Sequence, residues 1–171
     1  MYEYAPRLKK TREKIWVSVC LLLGAVAYGF GNLLPYPVLY QLLAVGSLAA
    51  AILITVRYLL RDYIYRVAPG KDGEDLDLTV VEVMGKKRTV VCRVSVADIQ
   101  SVTRVTDQRG RKTSDSQRKT PVYRYVSELQ PQNAYLLLIL DNKNSYFLEI
   151  CANEELISVL EGFKKQYLSD I

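Results

Sequence analysis

From Ile15 to Val56 the chain runs through 42 consecutive residues without an Asp, Glu, Lys or Arg. A water-soluble domain has no need of so long an uncharged stretch. A hydrocarbon layer of roughly 30 Å is crossed by about 20 helical residues at about 1.5 Å each, so the stretch suffices for two passes. Pro35-Tyr36-Pro37 divides it. Each proline lacks a backbone donor and disfavours helix in the residue before it. We therefore expect a transmembrane hairpin over residues 15–60, with spans at about 15–34 and 38–60.

Cytoplasmic flanks of membrane spans carry the excess of Lys and Arg. Here Arg7, Lys9, Lys10, Arg12 and Lys14 precede the first span, while Arg57, Arg61 and Arg66 follow the second. The connection between spans is uncharged. This pattern predicts a multi-pass protein of the cell membrane with both termini cytoplasmic: a basic segment 1–14, the hairpin, and one cytosolic domain over 61–171. A signal peptide is the competing reading, since Ala25-Val26-Ala27 resembles a small-residue cleavage site. The apolar run, however, continues to Leu34, and the second span with its trailing arginines would still hold the following domain inside.

Within the spans, Ala25 and Gly29, Gly46 and Ala50, and Ser47 and Ala51 recur at helical spacing, and small residues let backbones approach within lipid; Ala25, Gly29, Gly46 and Ala50 are the candidate helix-packing positions. Trp16, Tyr36, Tyr40, Tyr58 and Tyr63 fall near the expected interfaces, where amphipathic rings are enriched.

After Tyr65 continuous apolarity gives way to short runs separated by turn residues, a β pattern. Seven strands are expected, at 63–67, 76–84, 88–96, 99–106, 122–129, 134–140 and 145–151. In the third, Val90, Cys92, Val94 and Val96 share one face, which predicts burial on that side. The sixth, Tyr135 to Leu140, is apolar on both faces and should be covered on both. Asn153 followed by Glu154 and Glu155 reads as a helix start, with Leu156, Leu160, Phe163 and Tyr167 on one face and Lys164 and Lys165 near its end.

Seven strands closed by a C-terminal helix is the element order of a pleckstrin-homology (PH) domain. The wording is closest from Leu76 to Val102: a strand, Gly85-Lys86-Lys87-Arg88, a second strand, then Val96-Ala97-Asp98-Ile99-Gln100-Ser101-Val102. This passage resembles bacterial membrane-anchored PH-like domain proteins. The resemblance implies an α+β membrane protein: a two-helix transmembrane hairpin, then a PH-like seven-stranded, partly open β-barrel or sandwich capped by a C-terminal helix. It also implies an adaptor, regulatory or assembly role.

The chain contains no histidine, which excludes Ser-His and Cys-His catalysis and removes the commonest metal ligand. No phosphate-binding loop, nucleophile elbow or zinc-protease motif is present. Asp72, Glu74, Asp75 and Asp77 cluster without calcium-loop spacing and read as a solvated loop. Cys20, Cys92 and Cys151 are too few and scattered for a disulfide framework or a zinc site and suit a reducing cytosol. No catalytic residue, metal or cofactor is expected, and the chain is not expected to be an enzyme.

The segment from Arg104 to Arg124 carries seven cations against Asp107 and Asp115. Arg109, Arg111, Lys112, Arg118 and Lys119, with Lys86, Lys87 and Arg88 in the hairpin turn, are the candidate contacts for anionic lipid or a protein partner. Nucleic acid is disfavoured, because no aromatic stacking platform or reading helix accompanies the charge. Tyr123, Tyr125 and Tyr146 lie in strands, where aromatic rings serve packing, and are assigned to the fold. The expected function is a non-catalytic, membrane-tethered binding or adaptor module. Its expected partners are the lipid bilayer and another membrane protein or a second copy through the spans. The alternative is a structural or regulatory subunit of a larger membrane complex.

Overall fold

The computed structural model describes residues 1–6, 10–31, 35–70, 76–105, 120–129, 131, 133–141 and 144–169, without the side chains of 163–169. The chain divides into two compact units: Leu8–Asp62 with Ser127–Leu129, and Met1–Arg7, Tyr63–Val126 and Gln130–Ile171.

The first unit is helical. Helix α1 covers Thr11–Phe30, and α2 covers Pro37–Ile54 and continues as one π turn, Thr55–Leu59. Pro37 occupies the start of α2, where a missing amide costs nothing, and Tyr36 before it takes a left-handed conformation at φ 74°. The helices meet at Ser47 and Ala51, one of the expected small-residue pairs, and in α1 at Gly24, Ala27 and Gly31, which those pairs did not mark. A Cβ on Gly24 would lie 2.7 Å from Ser47 Oγ, and one on Gly31 would lie 3.0 Å from Tyr40 Cβ. Ala27 and Ala51 are buried. Hydroxyls in these helices are satisfied on their own backbone: Ser47 Oγ donates to the Ala44 carbonyl at 2.9 Å and Thr55 Oγ1 to that of Ala51 at 2.8 Å.

Two charged side chains tie this unit together. Lys10 Nζ donates to the carbonyls of Leu59 at 3.1 Å and Arg61 at 2.9 Å, and lies 2.7 Å from an Asp62 carboxylate oxygen. It thus sets a cation at the C-terminal end of the second helix, where carbonyls lack intrahelical donors. Glu13 is buried, and its Oε1 accepts a hydrogen bond from the Leu129 amide at 3.0 Å.

The second unit is built from strands. Among the described residues, eight strands form two four-stranded sheets, followed by helix α3 (Glu154–Ser169). The first sheet has the order β1 (Tyr2–Tyr4), β2 (Arg61–Pro69), β3 (Leu76–Met84), β4 (Lys87–Ser95). The second has the order β5 (Ile99–Arg104), β7 (Ala134–Asp141), β8 (Asn144–Cys151), β6 (Val122–Tyr125). The expectation of seven strands is corrected to eight, because the N-terminal residues pair antiparallel with β2, Tyr2 opposite Val67 and Tyr4 opposite Tyr65. Nor do neighbouring strands all run antiparallel. Strand β7 occupies one edge of β8 through their tight hairpin, and β6 takes the remaining edge in parallel register, Arg124 opposite Glu149. Arg124 Nε lies 2.7 Å from Glu149 Oε2 and its Nη2 donates to Oε1 at 3.2 Å, a two-point ion pair that fixes this register.

The β3–β4 turn has glycine first, Gly85 at φ +60°, as a two-residue hairpin of type II′ requires. Further along, the register jumps from Val80 opposite Cys92 to Val81 opposite Val90, leaving Val91 as an extra residue on β4. This bulge breaks the alternation expected there: Val94 and Val96 are buried, but Val90 is 54% exposed. The expected double coverage of β7 holds for Leu136, Leu137 and Ile139, which are buried, while Leu140 is exposed. Asn153 caps α3 as expected, its Oδ1 accepting from the Leu156 amide at 2.9 Å, and Leu156 and Leu160 are buried.

At the centre of this unit Tyr65 is fully buried. Its hydroxyl donates to the Tyr125 carbonyl on β6 at 2.6 Å and accepts from the Cys151 amide on β8 at 3.1 Å. Tyr65→Phe removes both bonds and leaves a buried carbonyl and amide without their partner. It should lower stability by about 1–3 kcal/mol, read as a reduced denaturation midpoint of the full chain in detergent, whereas Tyr58→Phe leaves the midpoint unchanged.

Candidate functional site

Of the residues that sequence reasoning singled out, Lys86, Lys87 and Arg88 sit together in the β3–β4 turn and the first residues of β4, all exposed. Arg109, Arg111, Lys112, Arg118 and Lys119 lie outside the described residues, as do Asp72, Glu74 and Asp75. Two cations of the basic segment belong to the fold. Arg104 Nη2 donates to Asn133 Oδ1 at 3.0 Å, and Arg124 pairs with Glu149. Asp77 lies 3.9 Å from Arg93 across the β3–β4 pair. Among the described residues, no group of three His, Cys, Asp or Glu side chains is positioned to hold a metal ion.

In the helical unit, Ala25 is exposed, Ala50 is half-buried, and a Cβ on Gly29 or Gly46 would meet nothing within 4 Å. These glycines are therefore not where α1 meets α2.

The strand unit carries a concavity. A cleft of about 770 Å³ is lined by Cys92 of β4, Tyr123 and Tyr125 of β6, and Asp141, Asn144 and Tyr146 at the β7–β8 hairpin. Strands β4 and β6 are each the last of their sheet, so the cleft lies along two strand edges. Tyr123 and Tyr125, two apart on one strand, share a face. Tyr123 meets Tyr146 edge to face at 5.6 Å between ring centres, and Tyr125 meets Tyr63 likewise at 5.8 Å. The Tyr125 hydroxyl reaches the carbonyl of the bulged Val91 at 3.4 Å. Burial pushes the Cys92 thiol up, which keeps it protonated and a poor nucleophile. The Tyr146 hydroxyl is raised by burial first and then by the acidic groups Cys92, Asp141 and Asp98, and Tyr125 is raised mainly by burial. Both phenols remain neutral donors at neutral pH.

Sequence reasoning assigned Tyr123, Tyr125 and Tyr146 to packing, and Tyr123 is instead 50% exposed at this cleft. The Tyr-x-Tyr spacing on a short strand was the available signal. Asp141 and Asn144 carried none, since a turn flank with such residues is ordinary. Lys10 and Glu13 were also missed, because their partners are distant in the chain.

No family model, curated protein or solved structure matches the chain.

The segment Ser127–Leu129, beside Arg12 and Glu13 of α1, holds one more perturbed group. Glu128 is raised above the ordinary carboxylate value of 4.5, by burial first and then by Glu13, with Arg12 acting in the opposite direction. An acid raised in the folded state favours folding while protonated, and that contribution is lost as pH rises through its shifted titration. Glu128→Gln should therefore be more stable than the parent at neutral pH and equal to it well below pH 4.5, as read from denaturation midpoints across the pH range.

Proposed function

We propose that the protein is a membrane-tethered, non-catalytic binding module, with α1 and α2 spanning the bilayer and a PH-like domain at its cytoplasmic face. The observation that carries this reading is the exposure of the apolar helices. Both are long and apolar enough to cross a membrane, yet only 11% and 17% of their most apolar stretches are buried. A core helix of a soluble domain would be mostly buried. Leu22, Leu39, Leu42, Val45 and Leu53 are each at least 65% exposed. Covering one such side chain is worth about 1.5–3 kcal/mol, and contiguous apolar surface on this scale is not left to water. Satisfaction of Ser47 and Thr55 on their own backbone suits a medium that offers no other partner.

The flanking cations support a cytoplasmic location for both ends of the hairpin. Two sheets with a C-terminal helix, and the basic hairpin leading into the turn Val96–Asp98 and β5, support the PH-like reading. Strand β1 and the parallel β6 are departures from that pattern. The exposed triplet Lys86-Lys87-Arg88 supports attraction to an anionic surface, at about 1 kcal/mol per cation before screening. The full chain should stay with membranes through alkaline carbonate washing and need detergent for release. Recovery in the soluble fraction rejects the tether. In neutral-lipid nanodiscs, charge reversal at Lys86, Lys87 and Arg88, together with Arg109, Arg111, Lys112, Arg118 and Lys119, should weaken capture of anionic vesicles several-fold. Unchanged capture rejects the lipid contact.

A second reading, a subunit whose spans join a larger complex, is favoured by the open space beside Gly29 and Gly46. There, Gly29→Leu and Gly46→Leu should abolish copurification of membrane partners while leaving the hairpin intact.

A further inference from the structure

We propose that the cleft between β4 and β6 binds an organic ammonium ion, either the headgroup of a phospholipid or a free small molecule. The inference rests on reading the strand unit as a binding module and is independent of how that unit is tethered.

Three observations converge on a cation. First, Tyr123, Tyr125 and Tyr146 all line the cleft, and tyrosine ring faces carry negative quadrupole charge that attracts ammonium groups. Tyr123 and Tyr146 meet edge to face, so each does not cover both faces of the other. Second, Asp141 is the one charged side chain among the described cleft-lining residues, and it is exposed. Its field and that of Asp98 reach the Tyr146 hydroxyl. Third, the described arginines of the two flanking strands β4 and β6 that pair with carboxylates are engaged elsewhere: Arg124 lies 2.7 Å from Glu149 and Arg93 lies 3.9 Å from Asp77. Among the described residues the cleft therefore has aromatic walls and a carboxylate with no basic lining residue, a combination that attracts an ammonium group. Asn144, Ser145 and Thr120 add neutral polar groups for the hydroxyl or ester oxygens that such headgroups carry.

The test uses the full chain in an uncharged maltoside detergent and isothermal titration calorimetry. Choline, dihexanoylphosphatidylcholine and dimethylbutanol, the uncharged carbon isostere of choline, are titrated separately. Choline or the short-chain lipid should bind about tenfold or more tightly than the isostere. Binding of the lipid alone identifies a headgroup site, and equal binding of choline identifies a free-ligand site. Asp141→Asn and Tyr146→Leu should each weaken binding by about fivefold or more, and Glu161→Gln, exposed on α3 and outside the cleft lining, should leave it unchanged. Asp141 is exposed and its amide replacement is isosteric, so that variant reports on charge even if Tyr146→Leu fails to fold. The proposal is overturned if the isostere binds as tightly, if Asp141→Asn leaves affinity intact, or if neither cation binds. Retention of the same protein through carbonate washing tells failure of this site from failure of the membrane tether.

Discussion

The hydroxyl of Tyr65 is the hinge pin of the strand unit. It stands on β2 in the first sheet and satisfies a carbonyl on β6 and an amide on β8 in the second, at 2.6 and 3.1 Å. Both bonds form in a fully buried site, where an unpaired polar group costs more than a made bond contributes. The two sheets thus hold a defined offset in addition to an apolar interface. Around this point Leu78, Val80, Leu137, Ile139, Leu148 and Ile150 are fully buried, and Tyr4 stacks on Tyr65 at 6.4 Å between ring centres. Burial raises the Tyr65 hydroxyl far above its ordinary value, so it stays protonated and able to donate.

Irregular pairing makes the cleft. A barrel closed by regular antiparallel strands would have no edges, whereas here β4 and β6 end their sheets. The bulge at Val91 turns β4 locally, and β6 docks in parallel on β8 through the Arg124–Glu149 pair. Glu149 is buried and would be costly without its guanidinium partner, so that pair favours the register in which Arg124 stands opposite it. The tyrosines of β6 then line an opening instead of a core.

The helical unit obeys a different balance. Its large side chains face outward, and its interior is made of small residues at Gly24, Ala27, Ser47 and Ala51. With so little apolar area between the helices, their association depends on close backbone contact and on a polar tie at one end, where Lys10 meets the carbonyls of Leu59, the last residue of the second helix, and of Arg61 just beyond it.

Much of this was legible in the residues. The charge-free run with its prolines determined two long apolar helices, and Asn153 with Leu156 and Leu160 determined a capped helix on an apolar face, because these signals are local and periodic. Seven strand segments were likewise visible as runs between turn residues. Tertiary structure alone decided the partner of Tyr2–Tyr4, the parallel seat of β6, the bulge that turns Val90 outward, and the gathering of Tyr123, Tyr146 and Asp141 at one cleft. Periodicity says which side of a strand is apolar, but not which distant edge it will meet. That choice is made by hydrogen-bond satisfaction and packing between residues far apart in the chain.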